Sequence, residues 1–266
     1  MDCVSLDLDG TLLNSKRQIT EETKQMVYTL KEKGIDVIIN TGRMQKDIVN
    51  VKELAEIACP LICLNGSMIY SESGEILYET TLSLSLCKRL ISELTDMGVG
   101  VLVYTNQGGF PATLPKLYGK SVEEINAMFQ NQDYDIIFSL DNIKVYKLIA
   151  WVDENNLQKV DDVKIKMANE DEVSYSSSHP NNVEITSVEA QKGRALKRYE
   201  QIKGYTYKNI YSFGDGGNDV SQFEVSTVSF AMENSPEEIK GRATHITKSN
   251  DDDGVVYAIK HILKLV

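Results

Sequence analysis

The chain has 266 residues, 42% of them hydrophobic, and carries 39 acidic against 28 basic side chains for a net charge of −11. That length gives one large domain or two smaller ones, each with room for a core. The negative balance argues against nucleic acid and anionic membrane as partners, and no apolar run reaches the roughly 18 residues of a membrane span.

An acidic N-terminus that enters a strand at once is unlike a signal peptide. Cys3, Cys59, Cys63 and Cys87 fit no disulfide framework in a chain of this length, and Cys59-x3-Cys63 lacks a second pair of metal ligands. A reducing cytoplasm is the simplest compartment for them.

The first apolar run, VSLDL at 4–8, contains Asp7 and is followed by Asp9, Gly10 and Thr11. Strand alternation aims both acids at one side, where two like charges need a positive partner. A helix follows over 20–33, with Thr20 as its cap, Met26, Val27 and Leu30 on one face, and Gly34 as its stop. The strand IDVIIN at 35–40 runs into Thr41-Gly42-Arg43. A helix over 44–58 precedes PLICL at 60–64, which ends in the turn signal Asn65-Gly66.

From 82 to 186 the pattern changes. A helix at SLSLCKRLISELTDMG leads to the strand VGVLVYT. A loop with Gly108, Gly109, Pro111 and Pro115 leads to a helix over 121–131. The strand KVYKLIAWVD, a helix over 155–166 and the strands EVSYSSS and NNVEIT complete the stretch. KVYKLIAWV alternates polar and apolar residues, as suits a sheet covered on one face.

Beyond it, Lys192-Gly193 opens a helix, and the strand NIYSF at 209–213 feeds Gly214-Asp215-Gly216-Gly217-Asn218-Asp219. The strand VSFAM lies at 228–232. Ser235-Pro236-Glu237-Glu238 reads as a capping box. The acidic run 251–253 reads as solvated surface. An amphipathic helix over 254–265, with Val255, Ile259, Ile262 and Leu263 on its face, ends the pattern. Alternating strands and helices predict a doubly wound α/β domain with a parallel sheet, built from 1–81 and 187–266, with an α+β domain over 82–186 inserted into it.

The polar groups all follow predicted core strands or open a helix, and open α/β sheets bind ligands outside the carboxyl ends of their strands. A carboxylate such as Asp7 can attack phosphorus. A hard cation, Mg²⁺, held by Asp7, Asp215 and a backbone carbonyl, would neutralise the charge between the acids. Asp9 is placed to protonate the leaving oxygen and then to activate water. Thr41, the Gly42 N–H and Lys192 can hold phosphoryl oxygens. Arg43 can reach phosphate or cap the next helix.

DLDGTLL, TGR, KG and GDGGND, in this order, resemble the four motifs of the haloacid dehalogenase superfamily, and the layout resembles its Cof-like branch across essentially the whole chain. The resemblance implies a phosphatase that acts on small phosphorylated metabolites such as sugar phosphates, with a cap over 82–186 that chooses the substrate and hinges near 80–84 and 184–188. It implies Asp7 as nucleophile and metal ligand, Asp9 as acid/base whose carbonyl also binds the metal, and Asp215 as a further ligand with Gly216 in the metal shell. It places Leu8 N–H, Thr41, Gly42, Lys192 and Asn218 on phosphate and Asn65 near the substrate mouth. Asp219 would orient Lys192 or a metal-bound water. The chain departs from many relatives at Gln222, where Met is common, at Glu233 after Ala-Met, and in ITSVEAQKG before the lysine. A phosphomutase, or a non-catalytic phospho-accepting or sugar-phosphate-sensing module, would share most of these groups. Tyr175 and His179 lie late in the cap; His245 and His261 read as structural or exposed.

Overall fold

The computed structural model describes residues 1–48, 52–111 and 119–266. The chain divides into two compact units, Met1–Glu79 with Ala190–Val266, and Thr80–Glu189.

The first unit is built on β1 (Asp2–Leu6), β2 (Asp36–Asn40), β3 (Leu61–Cys63), β4 (Met68–Tyr70), β5 (Ile76–Glu79), β11 (Asn209–Gly214), β12 (Val228–Ala231) and β13 (His245–Ile246). These form one eight-stranded sheet in the order β13-β12-β11-β1-β2-β3-β4-β5. It is parallel from β13 to β3 and antiparallel at β4 and β5. The chain winds outward from β1 through β2 and β3, and later returns on the other side through β11 to β13. The order therefore reverses between β1 and β11, the place where such sheets open a ligand crevice.

The helix Glu21–Glu32 starts at Thr20, whose side chain accepts the Thr23 N–H, and buries Met26, Val27 and Leu30 as its spacing requires. The helix Lys192–Lys203 lays Ala195, Leu196 and Tyr199 on a face carrying Cys3, Ile38, Ile62 and Ile210. All four cysteines are free and buried.

The second unit holds an antiparallel sheet in the order β7-β6-β8-β10-β9, from β6 (Gly100–Thr105), β7 (Gly108–Phe110), β8 (Val145–Trp151), β9 (Val173–Ser176) and β10 (Asn182–Ser187). Its core joins Leu86, Leu90 and Leu94 of the helix Leu84–Asp96 and Val160, Val163 and Met167 of the helix Gln158–Met167 to Val101, Leu148 and Ile185 of the strands. The helix Val122–Gln130 begins with a capping box between Ser121 and Glu124.

Several sequence expectations need correction. The strand β8 is buried on both faces, Lys147 included, so its alternation does not mark a solvated side. No capping box forms at 235–238: Pro236 is itself the extended cap of the short helix Glu237–Lys240, which leaves Ser235 one residue too early. The final helix is α-helical only over Gly254–Tyr257 and then widens over Ala258–Ile262, where the Leu263 N–H reaches the Ala258 carbonyl five residues back. Ile262 is consequently exposed. The acidic run is not merely solvated, since Asp253 accepts from the Thr20 and Thr23 hydroxyls and Asp251 from the Ser15 N–H. Within 44–58, Gln45–Ile48 and Lys52–Ile57 are helical; residues 49–51, like Pro115, lie outside the described residues.

Candidate active site

The strand β1 stops at Leu6. The Asp7 N–H still donates to the Phe213 carbonyl at 3.0 Å, and then the chain turns, with the Leu8 carbonyl accepting from Leu12 and Leu13. The two acids therefore part company. Asp7 is buried, whereas the side chain of Asp9 is 55% exposed. Alternation would have held only if the strand had continued to residue 8.

Asp7 sits beside the N-terminus of the helix Lys192–Lys203. Lys192 is fully buried there and reaches Asp7 Oδ1 at 2.6 Å and Asp219 Oδ1 at 2.7 Å. Burial disfavours the ammonium, but Asp219 and Asp7 more than offset this and raise its pKa above the ordinary lysine value. Burial pushes the Asp7 carboxyl well up; Lys192 opposes that, and Asp219 and Asp215 reinforce it. Asp215, at the end of β11, is pushed up to about 7, by burial first and then by Asp219, against the pull of Lys192.

Beside burial, all three groups feel the same charge cluster. Asp7, Asp215 and Asp219 bring carboxylate oxygens within 4.8 Å of one another, and Lys192 supplies one positive charge among them. Asp219 has both oxygens engaged: Oδ2 accepts the Asp215 and Gly216 N–H groups, each at 3.0 Å, while Oδ1 takes Lys192 and the Gln222 amide. Asp7 and Asp215 are the groups left to hold a cation. An all-oxygen donor set with an excess of negative charge fits a hard divalent ion. Gly10 keeps this space open: at φ +71°, a Cβ on it would lie 2.2 Å from Asp215 Oδ2. Gly193 lets the Lys192 helix seat equally closely, since a Cβ there would meet the Ser221 carbonyl at 2.0 Å.

Asp9 is held by Arg43, whose Nε donates to Oδ2 at 2.6 Å and whose Nη2 donates to Oδ1. The Arg43 guanidinium is thus paired with Asp9. Thr41 is buried, and its hydroxyl accepts the Arg43 N–H at 3.2 Å, with Gly42 between them in the same bend. Leu64, Asn65 and Gly66 all take left-handed backbone, at φ +52°, +57° and +104°. For the two non-glycines such a conformation costs of order 1–3 kcal/mol each. Bonds from Leu64 N–H to the Arg43 carbonyl and from Asn65 N–H to the Thr41 carbonyl hold the turn there, and it presents Asn65 Oδ1 to Asn218 Nδ2 at 3.1 Å. Tyr175 and His179 are exposed on the second unit. His245 is also exposed and stacks on Phe230, and His261 lies beside Tyr257.

Sequence reasoning missed the buried polar layer beneath Lys192. Ser5, Asn40 and Gln222 are fully buried and hydrogen-bonded to one another. The available signal was a serine and an asparagine inside two otherwise apolar strands.

A family model described as haloacid dehalogenase-like hydrolase matches residues 4–259. A Bacillus subtilis protein, 5-amino-6-(5-phospho-D-ribitylamino)uracil phosphatase YwtE, is 30% identical over 99% of this chain and 98% of its own. The solved structure of a haloacid dehalogenase-like hydrolase from B. subtilis matches with a TM-score of 0.86 at 25% identity, over 98% of this chain and 100% of the other. The sugar phosphatase BT4131, of subclass IIB of the superfamily, shares the fold with a TM-score of 0.78 at 19% identity, over the whole of both chains.

Proposed function

The chain belongs to the haloacid dehalogenase-like hydrolases, in their Cof-like branch, and is a phosphoric monoester hydrolase; from that premise we propose that it is a Mg²⁺-dependent phosphatase that works through an aspartyl phosphate. The observation that carries this reading is the charge imbalance around Lys192, with Asp7 as the carboxylate at the centre of it. Asp7 and Asp215 would hold the ion, with the Asp9 carbonyl. The ion supplies charge neutralisation between the acids and the phosphoryl group.

An Asp7 oxygen forms a bond to phosphorus as the phosphorus–oxygen bond to the leaving alcohol breaks, and Asp9 gives that oxygen a proton. Asp9 then takes a proton from water, which attacks phosphorus and releases phosphate and Asp7. In this geometry Arg43 occupies both Asp9 carboxylate oxygens, so Asp9 reaches the leaving group only when Arg43 loosens its hold. Lys192, Thr41, Gly42, the Leu8 N–H and Asn218 are the groups assigned to the phosphoryl oxygens, with Gly216 in the metal shell, Asn65 near the substrate mouth and bonded to Asn218, and Asp219 anchoring Lys192.

We assign residues 80–189 the role of a substrate-selecting cap. The substrate class is a small phosphorylated sugar, sugar alcohol or related metabolite, in keeping with the phosphoribityl compound named for YwtE. The test is phosphate release from a panel of sugar phosphates, nucleotides, pyridoxal phosphate and an aryl phosphate, with Mg²⁺ and with a chelator. Asp7→Asn should lose at least about a thousandfold in kcat, as for removal of a covalent nucleophile. Equal turnover by Asp7→Asn sinks the mechanism, and an isomerised ester in place of free phosphate would mark a mutase.

A further inference from the structure

Gln222 lies on the short helix Val220–Glu224 and is wholly buried. Its amide orientation is fixed by acceptors that cannot donate. Nε2 reaches the Phe213 carbonyl at 3.2 Å and the Asp219 carboxylate at 2.7 Å, which leaves Oε1 to accept from the Ser5 hydroxyl at 2.7 Å and Asn40 Nδ2 at 3.3 Å. The oxygen of Asp219 that Gln222 holds is the one that Lys192 contacts.

We propose that Gln222 is a positioning residue for catalysis, which shares Asp219 Oδ1 with Lys192 and so keeps the ammonium available to Asp7 and to the phosphoryl group. The proposal rests on the reading of the site given above and extends it to a residue that touches no reactant.

The physical case is competition for one carboxylate. Four donors surround Asp219, namely two backbone N–H groups, Lys192 and Gln222. Without the Gln222 donor, Asp219 Oδ1 would have Lys192 as its strong partner, and the ammonium would be drawn from Asp7 toward Asp219. Charge-assisted bonds to carboxylates are strong enough for that balance to matter. The layer below holds Gln222 in turn. Ser5 stands in register with Ser212 of β11 at the centre of the sheet, and Asn40 Nδ2 also reaches the Lys192 carbonyl at 3.3 Å. Asn40 thus contacts both the helix start that carries Lys192 and the amide that competes for its counter-ion, and Ser5 holds that amide as well. An apolar residue of similar volume would pack at 222 and leave Lys192 with a single dominant partner.

The test compares the parent, Gln222→Met, Ser5→Ala and the double variant. Gln222→Met should lower kcat about tenfold with KM within about twofold. Ser5→Ala should lower kcat about threefold alone and not at all in the Gln222→Met background, because it acts through that amide. A second measurement needs no turnover: the Lys192 Nζ resonance of ¹⁵N-labelled protein should exchange with water several-fold faster in Gln222→Met than in the parent. If kcat and Lys192 exchange in Gln222→Met both stay within about twofold of the parent, Gln222 is packing only and the proposal is overturned. Fully additive losses in the double variant overturn it as well. If the parent itself releases no phosphate, the phosphatase mechanism fails, while the exchange measurement still decides the role of Gln222.

Discussion

Each unit of the molecule buries a lysine against carboxylates, and the two sites are built differently. In the first unit Lys192 contacts Asp7 and Asp219, with Asp215 close by, so acid outnumbers base. In the second unit Lys147 faces Glu184 at 3.6 Å, with side chains 3% and 4% exposed, and its ammonium lies 4.9 Å from the centre of the Tyr104 ring. One site gathers charge in excess at the open end of a parallel sheet. The other sets Lys147 opposite Glu184 on the neighbouring strands β8 and β10. A matched pair holds itself; an unmatched cluster invites a ligand of opposite sign.

The largest expected effect separates these two logics. Glu184→Gln leaves the Lys147 charge buried and should cost about 3 kcal/mol of stability by denaturant titration. Asp7→Asn removes a charge that burial already disfavours. In chelator its midpoint should equal or exceed that of the parent, although its turnover is lost. A clear loss of stability in Asp7→Asn would mean that the Lys192 contact outweighs the crowding. The next effect is metal linkage. Mg²⁺ at a hundred times its Kd should stabilise the parent by about 2.7 kcal/mol. That gain should vanish in Asp215→Asn and persist in Glu184→Gln. Equal stabilisation in Asp215→Asn would place the ion elsewhere.

The two regions also differ in how much the sequence disclosed. The core strands and the positions of Asp7, Lys192 and Asp215 at strand ends or a helix start were legible, because parallel strands read as short apolar runs and their ends as polar punctuation. Three things were not. The burial of Asp7 apart from Asp9 depends on where β1 stops and the chain turns, and the end of β1 is seen only in its pairing with β11, far away in the sequence. The Arg43–Asp9 pair depends on how two loops from neighbouring strands meet. The short antiparallel strands β4 and β5, and the two residues of β13, carry too few side chains to show a period. In the second unit, the alternation of KVYKLIAWV was present but did not mean a solvated face, since Lys147 finds its counter-charge on β10. Buried charge pairs mimic surface patterning in a one-dimensional reading.

The smallest effect concerns two serines that look alike in sequence. Ser121 and Ser235 each stand three residues before a glutamate, Glu124 and Glu238. Ser121 accepts the Glu124 N–H at 3.2 Å, and Glu124 returns a contact to the Ser121 N–H at 2.8 Å. The hydroxyl of Ser235 is buried with no hydrogen-bond partner among the described residues. The difference is Pro236, which adopts ψ 148° and takes the cap position for itself. Ser121→Ala should therefore cost about 1 kcal/mol, the ordinary value of an N-cap. Ser235→Ala removes a polar atom whose burial is unpaid by any bond, and should leave stability unchanged or raise it slightly. Thermal or denaturant midpoints of the two alanine variants decide the matter. A loss at Ser235 as large as that at Ser121 would mean that its hydroxyl is bonded through water, and that the two serines are more alike than their surroundings suggest.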